Sequence, residues 1–337
     1  MQMPDTLPLV TIYLSERCNS RCVTCDYWRH GIKDYSLESV RRLLPDLAAL
    51  ETRDVLISGG EPLLNPEWRE IAALLRNSGL DLWLLTSGLS LAKHARDAAA
   101  LFQSITVSLD GTCPETYAAI RGIDAFDKVC DGIQAITAAG VPTSLRVTLQ
   151  RANYAELPRF VTLGRELGVS QVSFLAVDVS NPHAFAIRNE FSPELALGAD
   201  DIEVFDRLIE NLEREHAEDF EAGFIAESPA KLKRIRNYFA ALLGHGEFPA
   251  VRCNAPEFSA VISADGQVSP CFFIPGPETA SRAPNLTAAL NSNSMKALRT
   301  AIRSGERREC TKCVCSMWRE PASLSGKSFQ LGLAGNA

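Results

Sequence analysis

The chain has 337 residues and a net charge of −7, with 46% apolar, 22% charged and 7% aromatic residues. These proportions are typical of a globular enzyme, and the length suits one large domain with a smaller one attached. The acidic balance argues against a broad basic surface for nucleic acid. No apolar run reaches membrane-spanning length, and the first five residues lack the features of a secretory signal, so we expect a cytoplasmic protein without a membrane partner.

Predicted strands and helices alternate through the first half of the chain. Buried-type apolar runs predict strands at Leu9–Ser15, Asp54–Ser58, Leu82–Thr86, Ser104–Leu109, Thr143–Leu149 and Gln171–Val177. Apolar residues three or four positions apart predict helices at Ser36–Leu50, Pro66–Ser78, Ala92–Phe102, Phe126–Ala139 and Ala155–Leu167. Such alternation predicts an α/β fold with a parallel sheet, right-handed crossovers and functional residues at the carboxyl ends of the strands.

The pattern changes after residue 180, where a loop over 181–198 precedes two predicted helices, Asp200–Phe220 and Ser228–Leu243. Further on, Ala264-Asp265-Gly266 joins two short apolar runs and predicts a β-hairpin. We therefore divide the chain into a barrel-like domain at 1–180, a helical linker or insertion at 181–250, a small α+β domain at 251–320 and a tail at 321–337 that we expect to be disordered.

The first group of cysteines follows the first predicted strand directly. Cys18, Cys22 and Cys25 have the spacing C-x3-C-x2-C. Three thiolates so close in sequence can bind three irons of a [4Fe–4S] cluster and leave the fourth iron open to a small chelating ligand. A zinc knuckle is the alternative. Either metal site favours a reducing compartment, in agreement with a cytoplasmic protein.

This spacing resembles that of the radical S-adenosylmethionine (radical SAM) superfamily, and the resemblance extends over residues 8 to 318. It implies a partial (β/α)6 TIM-like barrel that holds a [4Fe–4S] cluster and S-adenosyl-L-methionine (SAM). In such enzymes one electron from the cluster splits SAM into methionine and a 5′-deoxyadenosyl radical, which abstracts a hydrogen atom from the substrate. The electron would come from a donor such as flavodoxin or ferredoxin.

The resemblance also assigns SAM-binding residues, most of them at strand ends. These candidates are Gly59, Gly60, Glu61, Ser87, Ser108, Asp110, Arg121 and Leu175. Glu61, in Gly-Gly-Glu-Pro, would accept a hydrogen bond from the SAM ammonium, and Arg121 would bind the SAM carboxylate bidentately. Asp110 either contacts SAM or caps the following turn. Thr24 departs from the family pattern, since an aromatic residue commonly precedes the third cysteine.

A second group of cysteines lies near the C-terminus. Cys253 precedes the predicted hairpin, Cys271 ends it, and Cys310 and Cys313 form a C-x2-C pair with Cys315 just beyond. The arrangement resembles the twitch domain, a shortened SPASM domain, and implies one auxiliary [4Fe–4S] cluster held by Cys253, Cys271, Cys310 and Cys313. Cys315 could replace Cys313, and zinc is the alternative metal because four thiolates suit it equally well.

Two further residues are candidates for the chemistry on the substrate. Arg146, on the fifth predicted strand, is a candidate base, with a structural ion pair as the alternative. Cys113 follows the fourth strand, and its thiol could return a hydrogen atom to a substrate radical. The remaining cysteine, Cys130, lies in an amphipathic helix and is interpreted as a core residue.

Three functions are compatible with these motifs. The first is a radical SAM oxidoreductase that dehydrogenates a sugar or aminocyclitol in natural product biosynthesis, because the chain resembles dehydrogenases of the 2-deoxy-scyllo-inosamine type. The second is an enzyme that crosslinks or epimerises a ribosomal peptide, with the 181–250 segment as the peptide dock. The third is a non-catalytic Fe–S or zinc scaffold, which would leave the Gly-Gly-Glu-Pro run and Arg121 without a role.

Overall fold

The computed structural model describes residues 6–181, 183, 192–281 and 283–320, and it contains one eight-stranded sheet flanked by helices. The strands are β1 Leu9–Ser15, β2 Asp54–Gly59, β3 Asp81–Thr86, β4 Ser104–Ser108, β5 Thr143–Leu149, β6 Gln171–Ala176, β7 Ser259–Ile262 and β8 Val268–Ser269. The helices of the first half are α1 Leu37–Ala49, α2 Trp68–Asn77, α3 Leu91–Leu101, α4 Pro114–Arg121, α5 Phe126–Ala138 and α6 Leu157–Glu166. Those of the second half are α7 Ala199–Glu215, α8 Ala217–Glu221, α9 Pro229–Leu242, α10 Ala255–Phe258, α11 Glu278–Ser281, α12 Leu286–Asn291, α13 Asn293–Arg303 and α14 Arg308–Thr311.

The sheet has the order β6-β5-β4-β3-β2-β1-β7-β8, and every neighbouring pair from β6 to β7 is parallel. The predicted α/β fold with a partial barrel is therefore confirmed. The predicted hairpin is also present, since β8 runs antiparallel to β7. However, β7 pairs directly with β1, so the hairpin continues the sheet of the barrel. The domain boundaries at 180 and 250 stay predictions.

Both faces of β1 and β2 are buried, and this explains their nearly continuous apolar sequences. On β1, Val10, Ile12 and Leu14 belong to the large core between sheet and helices. Leu9 packs instead on the other face, in a smaller cluster with Leu56 of β2 and residues of the C-terminal segment. Because side chains alternate along a strand, each strand serves both the core and the interior of the barrel.

The 181–250 segment forms part of the barrel wall. Helix α7 packs on α9, and α9 contacts β6. Residues 224–226 run alongside the free edge of β6: Val172 donates a backbone hydrogen bond to Phe224, and Ala226 donates one to Val172. This segment covers an edge that would otherwise expose unpaired backbone groups.

Three other expectations compare with the structure as follows. Helix α4 was not predicted from the sequence. The helix predicted over Asp200–Phe220 is interrupted at His216, which ends α7 and precedes α8. The predicted tail at 321–337, and most of the predicted loop at 181–198, lie outside the described residues. No helix in the described ranges is long and apolar enough to cross a membrane.

Candidate functional site

The loop with Cys18, Cys22 and Cys25 leaves the carboxyl end of β1 and is held by the end of α4. The backbone amides of Arg21 and Val23 donate to the carbonyls of Arg121 and Ile120, each at 2.9 Å. Gly122 ends α4 with φ of 67°, and a Cβ there would lie 2.3 Å from the Arg21 carbonyl oxygen. Only glycine combines this left-handed conformation with so close an approach.

The three thiols of this loop lie near one another and are largely shielded from solvent. Burial, with the other thiols as a smaller cause, raises the pKa of Cys18 to about 11 and that of Cys25 to about 12. Burial also raises the pKa of Cys22, although nearby Arg121 opposes that rise. Such thiols stay protonated until a cation compensates their charge, so metal binding is coupled to loss of protons. Across the described ranges, no three His, Cys, Asp or Glu side chains are placed to hold a single metal ion.

The Gly-Gly-Glu-Pro run packs against the start of this loop. Gly60 donates to the Ser15 carbonyl and Glu61 to the Arg17 carbonyl, both at 2.8 Å. A Cβ on Gly60 would lie 2.4 Å from the Arg17 oxygen, so the close contact requires glycine. The end of β2 and the beginning of the thiol loop therefore form one backbone unit.

The Glu61 carboxylate is fully buried and receives several hydrogen bonds. Thr86 donates through its hydroxyl to both oxygens at 2.9 Å, and Ser87 donates through its amide at 2.8 Å and its hydroxyl at 2.5 Å. Leu63 donates its amide at 3.1 Å. No basic side chain pairs with Glu61 in the described part of the chain. A buried carboxylate with neutral donors only is suited to an ammonium ligand.

Asn19 was not identified from the sequence, yet it lies in the same cluster of polar residues. The Ser87 hydroxyl is 3.1 Å from its side-chain oxygen, and its amide reaches Ser90 at 3.5 Å. Ser87 therefore links the thiol loop to Glu61. Cysteine spacing does not identify Asn19, because Asn19 occupies an unspecified position of the C-x3-C-x2-C pattern.

One of the two expectations for Asp110 was that it caps the following turn. Its carboxylate instead accepts hydrogen bonds from residues more distant in sequence. One of its oxygens accepts from the Arg121 guanidinium at 3.0 Å, and the other accepts from the Thr148 amide at 2.7 Å. The ion pair is buried, with side chains 10% and 2% exposed. Burial lowers the pKa of Arg121, but Cys22 and Asp110 together outweigh it and raise that pKa. Asp110 thus positions Arg121. The buried Nε of Arg121 has no hydrogen-bond partner among the described residues, which indicates that it can donate to a second acceptor.

A cavity of about 220 Å³ lies between the interior of the barrel and the C-terminal segment. Three of the residues predicted for SAM binding or for the chemistry on the substrate line it: Ser108, Arg146 and Leu175. The Arg146 guanidinium donates to the Ser173 hydroxyl at 2.8 Å, and that hydroxyl donates to Glu227 at 2.9 Å.

Glu227 is the only carboxylate among the described residues that line this cavity. It is 1% exposed and also accepts from the Phe174 amide at 2.6 Å. Burial raises its pKa, although Arg146 and Lys231 oppose the rise. Glu227 was not identified from the sequence, because a glutamate just before a predicted helix is ordinarily exposed to solvent.

The second set of thiols surrounds a smaller, mostly apolar cavity of about 40 Å³ next to the first. Its lining includes Cys253, Cys271, Cys310, Cys313 and Cys315. Burial raises the pKa of Cys271 to about 12 and raises those of Cys310, Cys313 and Cys315 as well. The structure therefore brings together all five thiols that the sequence offered for four positions. Cys313 and Cys315 also line the larger cavity.

Cys113 lies apart from these groups. It is the residue before α4, where its thiol lies 3.4 Å from the Thr116 hydroxyl. It is not among the residues that line either cavity. Cys130, interpreted as a core residue, packs against the large core from α5.

Residues 12–163 match the family model described as the Radical SAM superfamily. This part of the chain is therefore similar to radical SAM enzymes. The matched residues include the thiol loop, the Gly-Gly-Glu-Pro run and Arg121, and this superfamily implies a [4Fe–4S] cluster and SAM. The residues present fit that pair, with three adjacent thiols for the cluster and Glu61 and Arg121 for the charged groups of SAM.

Several curated enzymes are similar to part of this chain. The chain is 28% identical over 231 residues to an Fe-coproporphyrin III synthase of Methanosarcina barkeri, a match that covers 66% of this chain and 55% of the relative. It is 32% identical over 169 residues to a probable GTP 3′,8-cyclase of Saccharolobus islandicus, covering 49% and 55%. The chain thus spans about half the length of the curated relatives it matches.

Solved structures share the fold over nearly the whole chain. Streptococcus suis SuiB bound to S-adenosylmethionine is similar with a TM-score of 0.66 at 13% identity, covering 93% of this chain and 73% of SuiB. The enzyme anSMEcpe with bound AdoMet and a peptide is similar with a TM-score of 0.64 at 18% identity, covering 92% and 89%. At these identities the likeness concerns the fold.

Proposed function

We propose that this protein is a radical SAM enzyme that removes two electrons and two protons from a polar small molecule. The proposal depends on the larger cavity, which is lined by strand-end residues of residues 12–163 on one side and borders the second set of thiols on the other. A substrate in that cavity would lie between a source of radicals and an acceptor of electrons.

In this proposal, Cys18, Cys22 and Cys25 hold the SAM-binding cluster, which supplies the electron for SAM cleavage when it is bound. Glu61 accepts from the SAM ammonium, and the free Nε of Arg121 donates to the SAM carboxylate. Gly59 and Gly60 keep the backbone close to the ligand, and Ser87 holds Glu61 in place. Ser108 and Leu175 contact SAM from the cavity.

Oxidation of a C–H(OH) group must balance as follows. One hydrogen atom of the substrate would go to the 5′-deoxyadenosyl radical that bound SAM supplies, the hydroxyl proton would go to a base, and the remaining electron would leave the substrate. We propose Glu227 as the base in preference to Arg146, because a guanidinium does not lose its proton in proteins. Arg146 would orient Glu227 through Ser173.

The departing electron would pass to an auxiliary [4Fe–4S] cluster bound by Cys253, Cys271, Cys310 and either Cys313 or Cys315. Their arrangement around one small apolar cavity supports a shared metal site. Zinc at this position would accept no electron, so it would be incompatible with this route. The electron donor to the first cluster stays a prediction of the flavodoxin or ferredoxin class.

The size of the cavity favours a small substrate over a peptide. About 220 Å³ lies below the ~300–1,000 Å³ usual for sites that enclose drug-sized ligands. The packing of α7 and α9 into the barrel wall leaves the 181–250 segment less suited to be a separate peptide dock. A sugar or aminocyclitol dehydrogenation is therefore our first candidate.

The experiment is anaerobic reconstitution followed by counts of iron and sulfide and an assay of SAM cleavage under reductant. Three proteins are compared: the wild type, a Cys18/Cys22/Cys25→Ala variant and a Cys253/Cys310→Ala variant, with Cys130→Ala as the matched control. We expect about eight irons in the wild type and about four in each multiple variant. Formation of 5′-deoxyadenosine should require only the first set.

Other results would change the proposal. About four irons in the wild type with cleavage intact would remove the auxiliary electron acceptor and with it the argument for dehydrogenation. An intact first cluster without SAM cleavage would favour the scaffold. Binding of a peptide, with modification of one of its residues, would favour the peptide enzyme.

A further inference from the structure

Basic residues are concentrated around the larger cavity although the chain as a whole is acidic. Four basic side chains line the cavity, Arg146, Lys231, Arg234 and Lys312, against the single carboxylate of Glu227. With every side chain ionised, the lining carries 4 − 1 = 3 positive charges, in a protein whose net charge is −7. A concave surface with such a charge attracts anions.

Two of these cations have only neutral partners in the described residues. The Arg234 guanidinium donates to the Ala250 carbonyl at 2.7 Å, and the Lys312 ammonium lies 4.9 Å from the centre of the Phe248 ring. Neither forms an ion pair with a carboxylate in the described ranges. Their positive charges are therefore held at the cavity without being neutralised.

The fold places these cations on three different elements. Lys231 and Arg234 are three residues apart on α9, and Ile235 of the same helix also lines the cavity, so one helix face is directed at it. Arg146 approaches from β5, and Lys312 follows α14. Cations that converge from separate elements on one cavity can bind several oxygens of one anionic group at once.

We propose that the substrate is a phosphorylated small molecule, whose phosphate monoester is bound by Arg234 and Lys312 with support from Lys231. This inference rests on the proposed function and names the substrate class of the same cavity. A phosphate monoester carries about −1.5 to −2 charges at pH 7 and three acceptor oxygens, which matches a lining of three net positive charges better than one carboxylate does. The Glu227 carboxylate is left near the reacting hydroxyl, because it is held by Ser173 and Phe174 in the wall of the barrel.

The test is calorimetric titration of the reconstituted holoenzyme with glucose 6-phosphate, glucuronate and glucose, which share a ring and differ in charge, and with inorganic phosphate. We expect binding of glucose 6-phosphate and inorganic phosphate in the millimolar range or tighter, weaker binding of glucuronate and none of glucose. The variants Arg234→Gln and Lys312→Gln should each weaken glucose 6-phosphate binding about tenfold. Arg234→Lys should restore part of it by restoring the charge.

The matched control is Lys233→Gln, on the same helix but exposed and paired with Glu213. It should leave binding unchanged. The proposal is overturned if glucuronate binds more tightly than glucose 6-phosphate, if the Lys233 variant loses as much affinity as the Arg234 variant, or if no phosphate binds at about 10 mM. Since binding is measured without turnover, phosphate binding in a protein that never cleaves SAM would refute the proposed function alone. SAM cleavage without phosphate binding would refute only this inference.

Discussion

The contact between Gly122 and the first thiol loop can be tested with a single methyl group. In Gly122→Ala, the new Cβ meets the Arg21 carbonyl oxygen at 2.3 Å, and the residue must also keep a left-handed conformation with φ of 67°. The backbone of the loop must therefore move. We expect the amide hydrogen bonds from Arg21 and Val23 to the end of α4 to weaken or break, because they hold the loop at this point.

The chain offers a matched control in Gly140, two residues after the end of α5. Its φ is 81°, and a Cβ there would meet nothing within 4 Å. Gly140→Ala thus carries the left-handed penalty alone, about 1–2 kcal/mol. Gly122→Ala adds the loss of two hydrogen bonds at about 0.5–1.5 kcal/mol each, so we expect a loss of about 2–5 kcal/mol in the free energy of unfolding.

The measurements are urea denaturation and, separately, the electron paramagnetic resonance spectrum of the reduced first cluster with and without SAM. Gly122→Ala should lose iron from the first cluster or show a diminished spectral response to SAM. Gly140→Ala should match the wild type in iron content and in its spectral response to SAM. Equal stability losses in the two variants, together with equal spectra, would show that α4 does not hold the loop. The close contact between Gly122 and Arg21 would then have no effect on the first thiol loop.

Three other predictions concern single side chains. Glu61→Gln should weaken SAM binding about tenfold, since a neutral amide can neither attract the ammonium nor accept from all the donors around it; unchanged affinity in equilibrium dialysis would contradict this. Burial raises the pKa of Asp54 from 3.8 to about 6, so the folded state holds this proton more tightly, and stability falls as the pH rises from about 4 to 6. Asp54→Asn should remove that fall and raise the free energy of unfolding at pH 7 by about 1–2 kcal/mol, a value discounted for solvent screening. The control Asp131→Asn, at an exposed position, should change neither the pH dependence nor the free energy of unfolding. For the second thiol set, Cys313→Ala should lose the auxiliary cluster and Cys315→Ala should keep it; the reverse result in iron counts would make Cys315 the ligand.

The strands were predictable from sequence because each has at least one buried face with apolar residues. The predicted and observed bounds coincide for β1 and β5 and differ by a residue elsewhere in the first six strands. Helix α4 escaped notice because it has only eight residues, of which Tyr117 and Ile120 are its buried apolar members. Two apolar positions do not establish a helical period.

The missing parts of the site were those made by contacts distant in sequence. Glu227 reaches Ser173 across 54 residues, and the pairing of β7 with β1 joins segments about 250 residues apart. Neither contact leaves a local pattern, since a hairpin has the same turn and alternation whether it stands alone or extends a sheet. Motif spacing could therefore name the two thiol sets but not the cavity beside the second set.

The position of β7 beside β1 has a consequence for electron transfer. The first thiol loop begins where β1 ends, and Cys271 follows β8, which pairs with β7 on the same sheet. The first thiol loop and Cys271 are thus fixed to one continuous hydrogen-bonded sheet instead of to two domains joined by a flexible linker. A substrate between them, against Leu9 of β1 and Phe272 beyond β8, would keep constant distances to both sets during turnover. A substrate radical has to pass on its electron before it takes up another hydrogen atom. Constant distances to both thiol sets would therefore favour oxidation over return of the hydrogen atom.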